Sequence, residues 1–170
     1  DPRRVLAPNE KGEFRIKGPN VMKGYWKKPK ETEEAFVDGY FLTGDIGYMD
    51  ERGYFFLVDR KKDMILSGGF NVYPRIIEEA IYEHPSVEEA VVIGVPDAYR
   101  GQSAKAFVKL KAGAAPLALE ELRQFLADKI GKHEMPTMLE IREALPRTAV
   151  GKLSKKTLVD EEARKAGTGD

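Results

Sequence analysis

Five consecutive charged residues, Asp59-Arg60-Lys61-Lys62-Asp63, interrupt the chain between two apolar stretches, Tyr54-Phe55-Phe56-Leu57-Val58 and Met64-Ile65-Leu66-Ser67. Unpaired charge is strongly disfavoured in a packed core, so a run of this kind reads as a solvated tether. It splits the 170 residues into two parts of different texture. The first part is rich in turns and short β-type segments. The second alternates buried-type strands with amphipathic helices.

In the first part, the alternation in Glu13-Phe14-Arg15-Ile16-Lys17 predicts a half-buried strand, and Gly18-Pro19-Asn20 a turn. Pro29 precedes a short helix over Glu31 to Phe36. Phe41-Leu42-Thr43 runs into Gly44-Asp45 at a strand end, and Asp50-Glu51-Arg52-Gly53 connects a hairpin into Tyr54 to Val58. In the second part, Met64 to Ser67 and Phe70 to Tyr73 are extended around a Gly68-Gly69 turn. Pro74 can open a helix whose Ile76, Ile77, Ala80 and Ile81 share one face, ended by His84-Pro85. Strands over Val87 to Val95 and Ala104 to Leu110 follow. Leu119, Leu122, Phe125, Leu126 and Ile130 mark a second helix, Met138 to Arg142 a short strand, and Lys155 to Lys165 a terminal helix. From residue 63 the order is β-β-α-β-β-α-β-α, a small α+β domain.

Composition removes several functions. Lys plus Arg and Asp plus Glu are both 28, so the formal charge is zero and general electrostatic binding to nucleic acid or an anionic membrane is disfavoured. Without cysteine there is no disulfide framework, thiol nucleophile or thiolate metal site. His84 and His133 are far apart and lack ligand spacing; a loop or cap role suits His84, and no partner for His133 is evident. No metal site is expected. No apolar run has membrane-span length, and no signal peptide opens the chain, which points to a soluble cytoplasmic protein. The absence of an initiating methionine, with a strand beginning soon afterwards, suggests a piece of a longer chain.

Four segments can carry chemistry. In Leu145-Pro146-Arg147-Thr148-Ala149-Val150-Gly151-Lys152, Pro146 and Gly151 break regular structure and present one ammonium group, suited to phosphate or carboxylate oxygens; Arg147 is a second cation for the same anion. Asp45 after Thr43-Gly44 can accept hydrogen bonds from a vicinal diol such as ribose, and equally suits an Asx turn. Arg60, Lys61 and Lys62 form either a hydrophilic tether or a hinge with Arg60 beside a nucleotide. Gly68-Gly69-Phe70 allows close backbone approach to a ligand, or simply a turn. Tyr25, Trp26 and Tyr40 read as packing residues, and Lys155 and Lys156 as decoration of the last helix.

Together these segments resemble the AMP-forming acyl-CoA synthetases, within the adenylating superfamily that includes luciferases and peptide-synthetase adenylation domains. Gly12-Glu13 through Gly18-Pro19-Asn20-Val21-Met22-Lys23-Gly24-Tyr25-Trp26 resembles the stretch before the ribose motif, and Phe41 to Asp45 that motif itself. Asp59 to Asp63 with Gly68 to Pro74 resembles the hinge and following loop, and Pro146 to Lys152 the catalytic-lysine loop. Each segment is weak alone; their order and spacing are specific. The resemblance covers nearly the whole chain and is strongest to fatty-acid and dicarboxylate ligases. It implies that residues 1–58 are the β-rich end of a large N-terminal adenylating domain, 59–62 the hinge, and 63–170 a mobile, mixed-sheet C-terminal domain with packed helices.

The resemblance also implies a reaction: a carboxylic acid and ATP give an acyl-adenylate, and coenzyme A then displaces AMP. Lys152 is the implied catalytic residue. Asp45 and Arg60 serve the nucleotide, Lys62 is the pivot, and Gly68, Gly69 and Phe70 face the pantetheine arm. Mg2+ is implied with its ligand outside these residues. Two departures stand out. Arg75-Ile76-Ile77 replaces an expected Glu after Tyr73-Pro74, with Glu78 and Glu79 as alternatives. The phosphate loop, most of the acyl pocket and the magnesium glutamate are absent, so the 170 residues alone are expected to be inactive. Competing readings are an adenylation domain loading a carrier-protein thiol, a stand-alone module acetylated on Lys152 by a protein acetyltransferase, and a ligand-free structural domain.

Overall fold

The computed structural model describes residues 3–167, so the outermost residues of the two expected domains lie outside it. The chain divides between Lys62 and Asp63 into two compact units.

The first unit is a four-stranded antiparallel sheet built on one long strand. β3 (Tyr40–Met49) pairs with β1 (Gly12–Ile16), β2 (Phe36–Val37) and β4 (Phe55–Arg60). A short helix, α1 (Pro29–Glu34), begins at its proline and stops before Phe36, which pairs with Phe41. The intervening Asp38-Gly39 has positive φ at both residues (51° and 78°), the geometry that Asp-Gly favours in two-residue hairpins. Asp50 closes the β3–β4 hairpin, as its position predicts: its carboxylate accepts from the Arg52 and Tyr54 amides at 3.0 and 2.9 Å.

Asp45 does not end a strand. β3 continues through it to Met49, with Gly44 at φ 72° bending the strand and a register shift between Ile46 and Gly47. Gly47 has no room for a side chain: a Cβ there would lie 2.3 Å from both the Phe14 ring and the Phe56 carbonyl. Trp26, expected to pack, is 85% exposed.

The second unit follows the expected order. Its mixed sheet runs β6 (Phe70–Val72), β5 (Ile65–Ser67), β8 (Gly101–Leu110), β7 (Val87–Asp97); β9 (Met138–Ile141) lies parallel to β8, from Lys105↔Met138 to Val108↔Ile141. β7 and β8 read as continuous apolar runs because both faces are covered. On one face, Val92, Ala106 and Val108 pack with Ile77 and Ile81 of α2 (Pro74–Tyr82) and Leu122 and Leu126 of α3 (Leu119–Leu126). On the other, Val91, Ile93, Val95 and Phe107 pack with Leu145 and with Leu158 of α4 (Lys155–Gly167). α3 stops earlier than its apolar spacing suggests. Turn hydrogen bonds from the Lys129 and Ile130 amides to the Leu126 carbonyl still bring Ile130 onto the core.

Ion pairs fasten α4 to the sheet. Lys105, only 10% exposed, lies 2.8 Å from Glu140 of β9 and 2.9 Å from Glu162 of α4. Arg142 joins Glu140 at 2.8 Å and Glu161 at 2.7 Å, and both cations lie over the Phe107 ring. Burial pushes the Glu140 carboxyl up, but Lys105 and Arg142 outweigh it and hold it down to about 2. His84 sits below α2 with its ring edge-on to Phe125 and its Nδ1 accepting from the Ser86 amide, a loop role as expected.

Candidate functional site

In the first unit, the cross-strand register sets Asp45 opposite Arg60, and Arg60 Nε donates to Asp45 Oδ1 at 2.8 Å. Two of the expected nucleotide residues thus meet. Their surroundings are ordered: Thr43 Oγ1 donates to the Phe14 carbonyl at 2.8 Å and accepts from the Asp45 amide at 3.1 Å. Glu13 accepts from the Gly44 amide at 3.0 Å and from Lys61 Nζ at 2.7 Å. The charged run is therefore not uniformly solvated. Asp59 is buried within β4 and accepts from the Arg60 amide at 2.7 Å. Only Lys61–Asp63 leaves the strand, as one turn of 3-10 helix, with Lys62 exposed at its centre.

In the second unit, Gly68 and Gly69 form the β5–β6 turn with φ 56° and 85°, conformations that disfavour a side chain. Phe70 follows, 55% exposed, stacked on His133 with ring centroids 4.7 Å apart. His133, partnerless in the sequence, has a partner here. The two rings border a cleft of about 240 Å3 that also includes Tyr99, Arg100, Arg123 and Lys132. Three cations and three aromatic rings in one cleft suit a phosphate-bearing aromatic ligand. Sequence reasoning missed this cleft because its cations come from three separate segments and form no motif.

The Lys152 loop is a small ordered hairpin. Arg147 and Leu153 form an isolated antiparallel bridge; the Thr148 amide donates to the Lys152 carbonyl at 2.7 Å and the Gly151 amide to the Thr148 carbonyl at 2.8 Å. Thr148 Oγ1 accepts from the Lys152 amide at 3.2 Å, and Gly151 turns the chain at φ 82°. Lys152 is exposed, and among the described residues its ammonium makes no ion pair or hydrogen bond. Arg147 is not a free second cation: its guanidinium donates to the Gly151 carbonyl at 2.6 Å and to Glu89. Lys155 is not mere decoration, since it pairs with Glu78 at 3.1 Å.

Residues 76–152 match the family described as AMP-binding enzyme C-terminal domain. That segment is similar to this domain. Over 93% of its length, that segment included, the chain is similar to the long-chain-fatty-acid–CoA ligase of Bacillus subtilis strain 168, with 53% identity over 158 residues, or 28% of that protein. Among solved structures, ATP-bound MatB from Rhodopseudomonas palustris has a TM-score of 0.85 and 40% identity, covering 92% of this chain and 31% of its own. The Bacillus subtilis o-succinylbenzoate–CoA synthetase in complex with the acyl-adenylate intermediate OSB-AMP has a TM-score of 0.83 and 37% identity, covering 91% and 31%. The chain thus spans about three-tenths of the length of these proteins. The resemblance to the C-terminal portion of AMP-forming acyl-CoA synthetases, and the α+β fold, are borne out. Among the described residues no helix is long and apolar enough to cross a membrane.

Proposed function

We propose that the chain is the C-terminal part of an ATP-dependent carboxylate–CoA ligase working through an acyl-adenylate, with a fatty or dicarboxylic acid as substrate. The observation that carries the reading is Lys152: an exposed, uncommitted ammonium on a hydrogen-bonded loop, within a segment that matches the AMP-binding C-terminal family. The names of the similar proteins, a long-chain-fatty-acid ligase and an o-succinylbenzoate synthetase, support this substrate class.

In the first step a carboxylate oxygen attacks the α-phosphorus of ATP and pyrophosphate leaves. Negative charge gathers on the attacking and α-phosphoryl oxygens, and Lys152 offsets it from a loop whose backbone is already ordered. Asp45 receives the ribose hydroxyls on its carboxylate, with Arg60 holding that side chain in place at 2.8 Å. In the second step the coenzyme A sulfur attacks the acyl carbon, the acyl–phosphate bond breaks and AMP leaves. The backbone turns at Lys62 between steps, withdrawing Lys152 and bringing Gly68, Gly69 and Phe70 to the pantetheine arm. The Arg100, Arg123 and Lys132 cleft suits the nucleotide end of coenzyme A. On this reading Mg2+ and the phosphate loop belong to residues outside these 170. On this reading the 170 residues alone are inactive. The exposure of Lys152 also suits an acetyltransferase, and acetylation would remove the charge the first step uses.

The test uses the longest natural form of the protein. With Lys152→Ala, ATP–pyrophosphate exchange over a panel of fatty and dicarboxylic acids is expected to fall by about 100-fold or more, while thioester formation from preformed acyl-adenylate is largely kept. Exchange that survives the substitution would sink the assignment.

A further inference from the structure

A lysine that acts in one half-reaction must be held in one place, and a hairpin with good internal hydrogen bonds is not enough. Such a loop is rigid within itself but free to tilt on the body that carries it. Apolar contacts set its depth here: Leu145 and Leu158 are buried on either side of it and Leu153 packs against the same cluster. Apolar packing is non-directional, however, and leaves rotation about that anchor poorly fixed.

Two carboxylates supply the missing direction. On the N-terminal side of the loop, Glu89 of β7 (side chain 17% exposed) binds Arg147, whose other guanidinium nitrogen donates to the Gly151 carbonyl at 2.6 Å. Arg147 therefore links the sheet to the residue next to Lys152. On the C-terminal side, Glu78 of α2 (14% exposed) binds Lys155 at 3.1 Å, and the same oxygen accepts from the Val92 amide at 2.8 Å. β7 ends the order of the sheet, so that amide belongs to a strand with a free flank, and Glu78 ties helix, strand and loop together. Both tethers converge on β7 within four residues of each other in sequence, at Glu89 and Val92. Both acids are too well covered to be ordinary solvated charges.

We propose that Glu89 and Glu78 are positioning residues for Lys152: they clamp the two ends of its loop to β7 and fix the direction of the ammonium. The inference rests on the proposed role of Lys152 in adenylation. It predicts a selective effect, because a tilted loop misplaces Lys152 in the first step and leaves the second step, which does not use Lys152, unchanged. Misplacement by about 1 Å can cost roughly 100-fold in rate.

The experiment measures both half-reactions in the longest natural form of the protein for Glu89→Gln, Glu78→Gln, Arg147→Ala and the pair Glu89→Gln/Arg147→Ala, with Lys152→Ala alongside. Glutamine keeps the shape of each acid, and at position 78 an oxygen for the Val92 amide, so only the ion pair is removed. The expected result is an exchange kcat about 10- to 100-fold lower for each glutamine variant, thioester formation within about twofold of wild type, and a double variant no worse than the poorer single one. Exchange within twofold of wild type in both glutamine variants would overturn the inference, as would a parallel fall in both half-reactions, which marks general loss of structure. If Lys152→Ala itself keeps exchange, the adenylation role falls first, and that outcome is distinct from the other two.

Discussion

Lys105→Met tests the ion-pair cluster that fastens α4. Methionine fills much the same volume but removes the cation that Glu140 and Glu162 share at 2.8 and 2.9 Å. Breaking a buried pair on one side costs roughly 3–5 kcal/mol. Here the Glu140 and Glu162 side chains are 29% and 15% exposed, and Arg142 and Lys165 remain within reach of them, so solvent and the remaining cations reduce the loss to about 2 kcal/mol. The pH dependence gives a comparable figure. The shift of Glu140 from 4.5 to about 2, which Lys105 shares with Arg142, corresponds to about 3 kcal/mol, and solvent screening together with the part that Arg142 keeps leaves about 1–2 kcal/mol to Lys105. Because the folded value lies below the unfolded one, this contribution is complete above pH 4.5 and disappears as the pH falls through about 2. Urea unfolding followed by circular dichroism should therefore show Lys105→Met less stable by about 2 kcal/mol at pH 7, or roughly 8–12 °C lower in Tm for a unit of about 100 residues. The gap from wild type should narrow steadily between pH 5 and pH 2.5. A gap below 0.5 kcal/mol at pH 7, or one that does not change with pH, would refute the reasoning.

Two further predictions concern other parts of the chain. Arg100→Ala in the longer protein should raise the KM for coenzyme A about 10-fold and leave ATP–pyrophosphate exchange unchanged, read by separate half-reaction kinetics; an equal loss in both would remove the cleft from coenzyme A binding. Gly47→Ala should destabilise the first unit by roughly 3 kcal/mol, checked by urea denaturation, because its new methyl would meet the rigid Phe56 carbonyl at 2.3 Å.

The fold of the second unit was legible because its signals are local. Pro74 opens α2, Gly68-Gly69 turns the hairpin, and continuous apolar runs mark strands covered on both faces. The first unit was read less well. The texture of Thr43-Gly44-Asp45 suggests a strand end, whereas a bulge carries β3 through it, and bulges depend on partner strands that sequence does not display. The motif residues Asp45 and Lys152 were visible because spacing along the chain marks them. Glu89 and Glu78 were not, because their partners Arg147 and Lys155 lie dozens of positions away, and the cleft was not, because its cations come from three separate segments. Lys105 gives the sharpest example: a lysine inside an apolar strand looks like an interruption until β9 and α4 bring it Glu140 and Glu162.

The parallel pairing of β9 with β8 has a consequence for synthesis. Every other strand of that sheet has emerged by Leu110, yet one flank of β8, from Lys105 to Val108, receives its partner only with Met138 to Ile141. Glu162 arrives later still. A ribosome-bound chain stalled in between would display an apolar strand edge with a stranded ammonium at its start, a feature that discourages edge-to-edge association. Lys105 would thus guard the nascent chain against aggregation before it fastens the finished one.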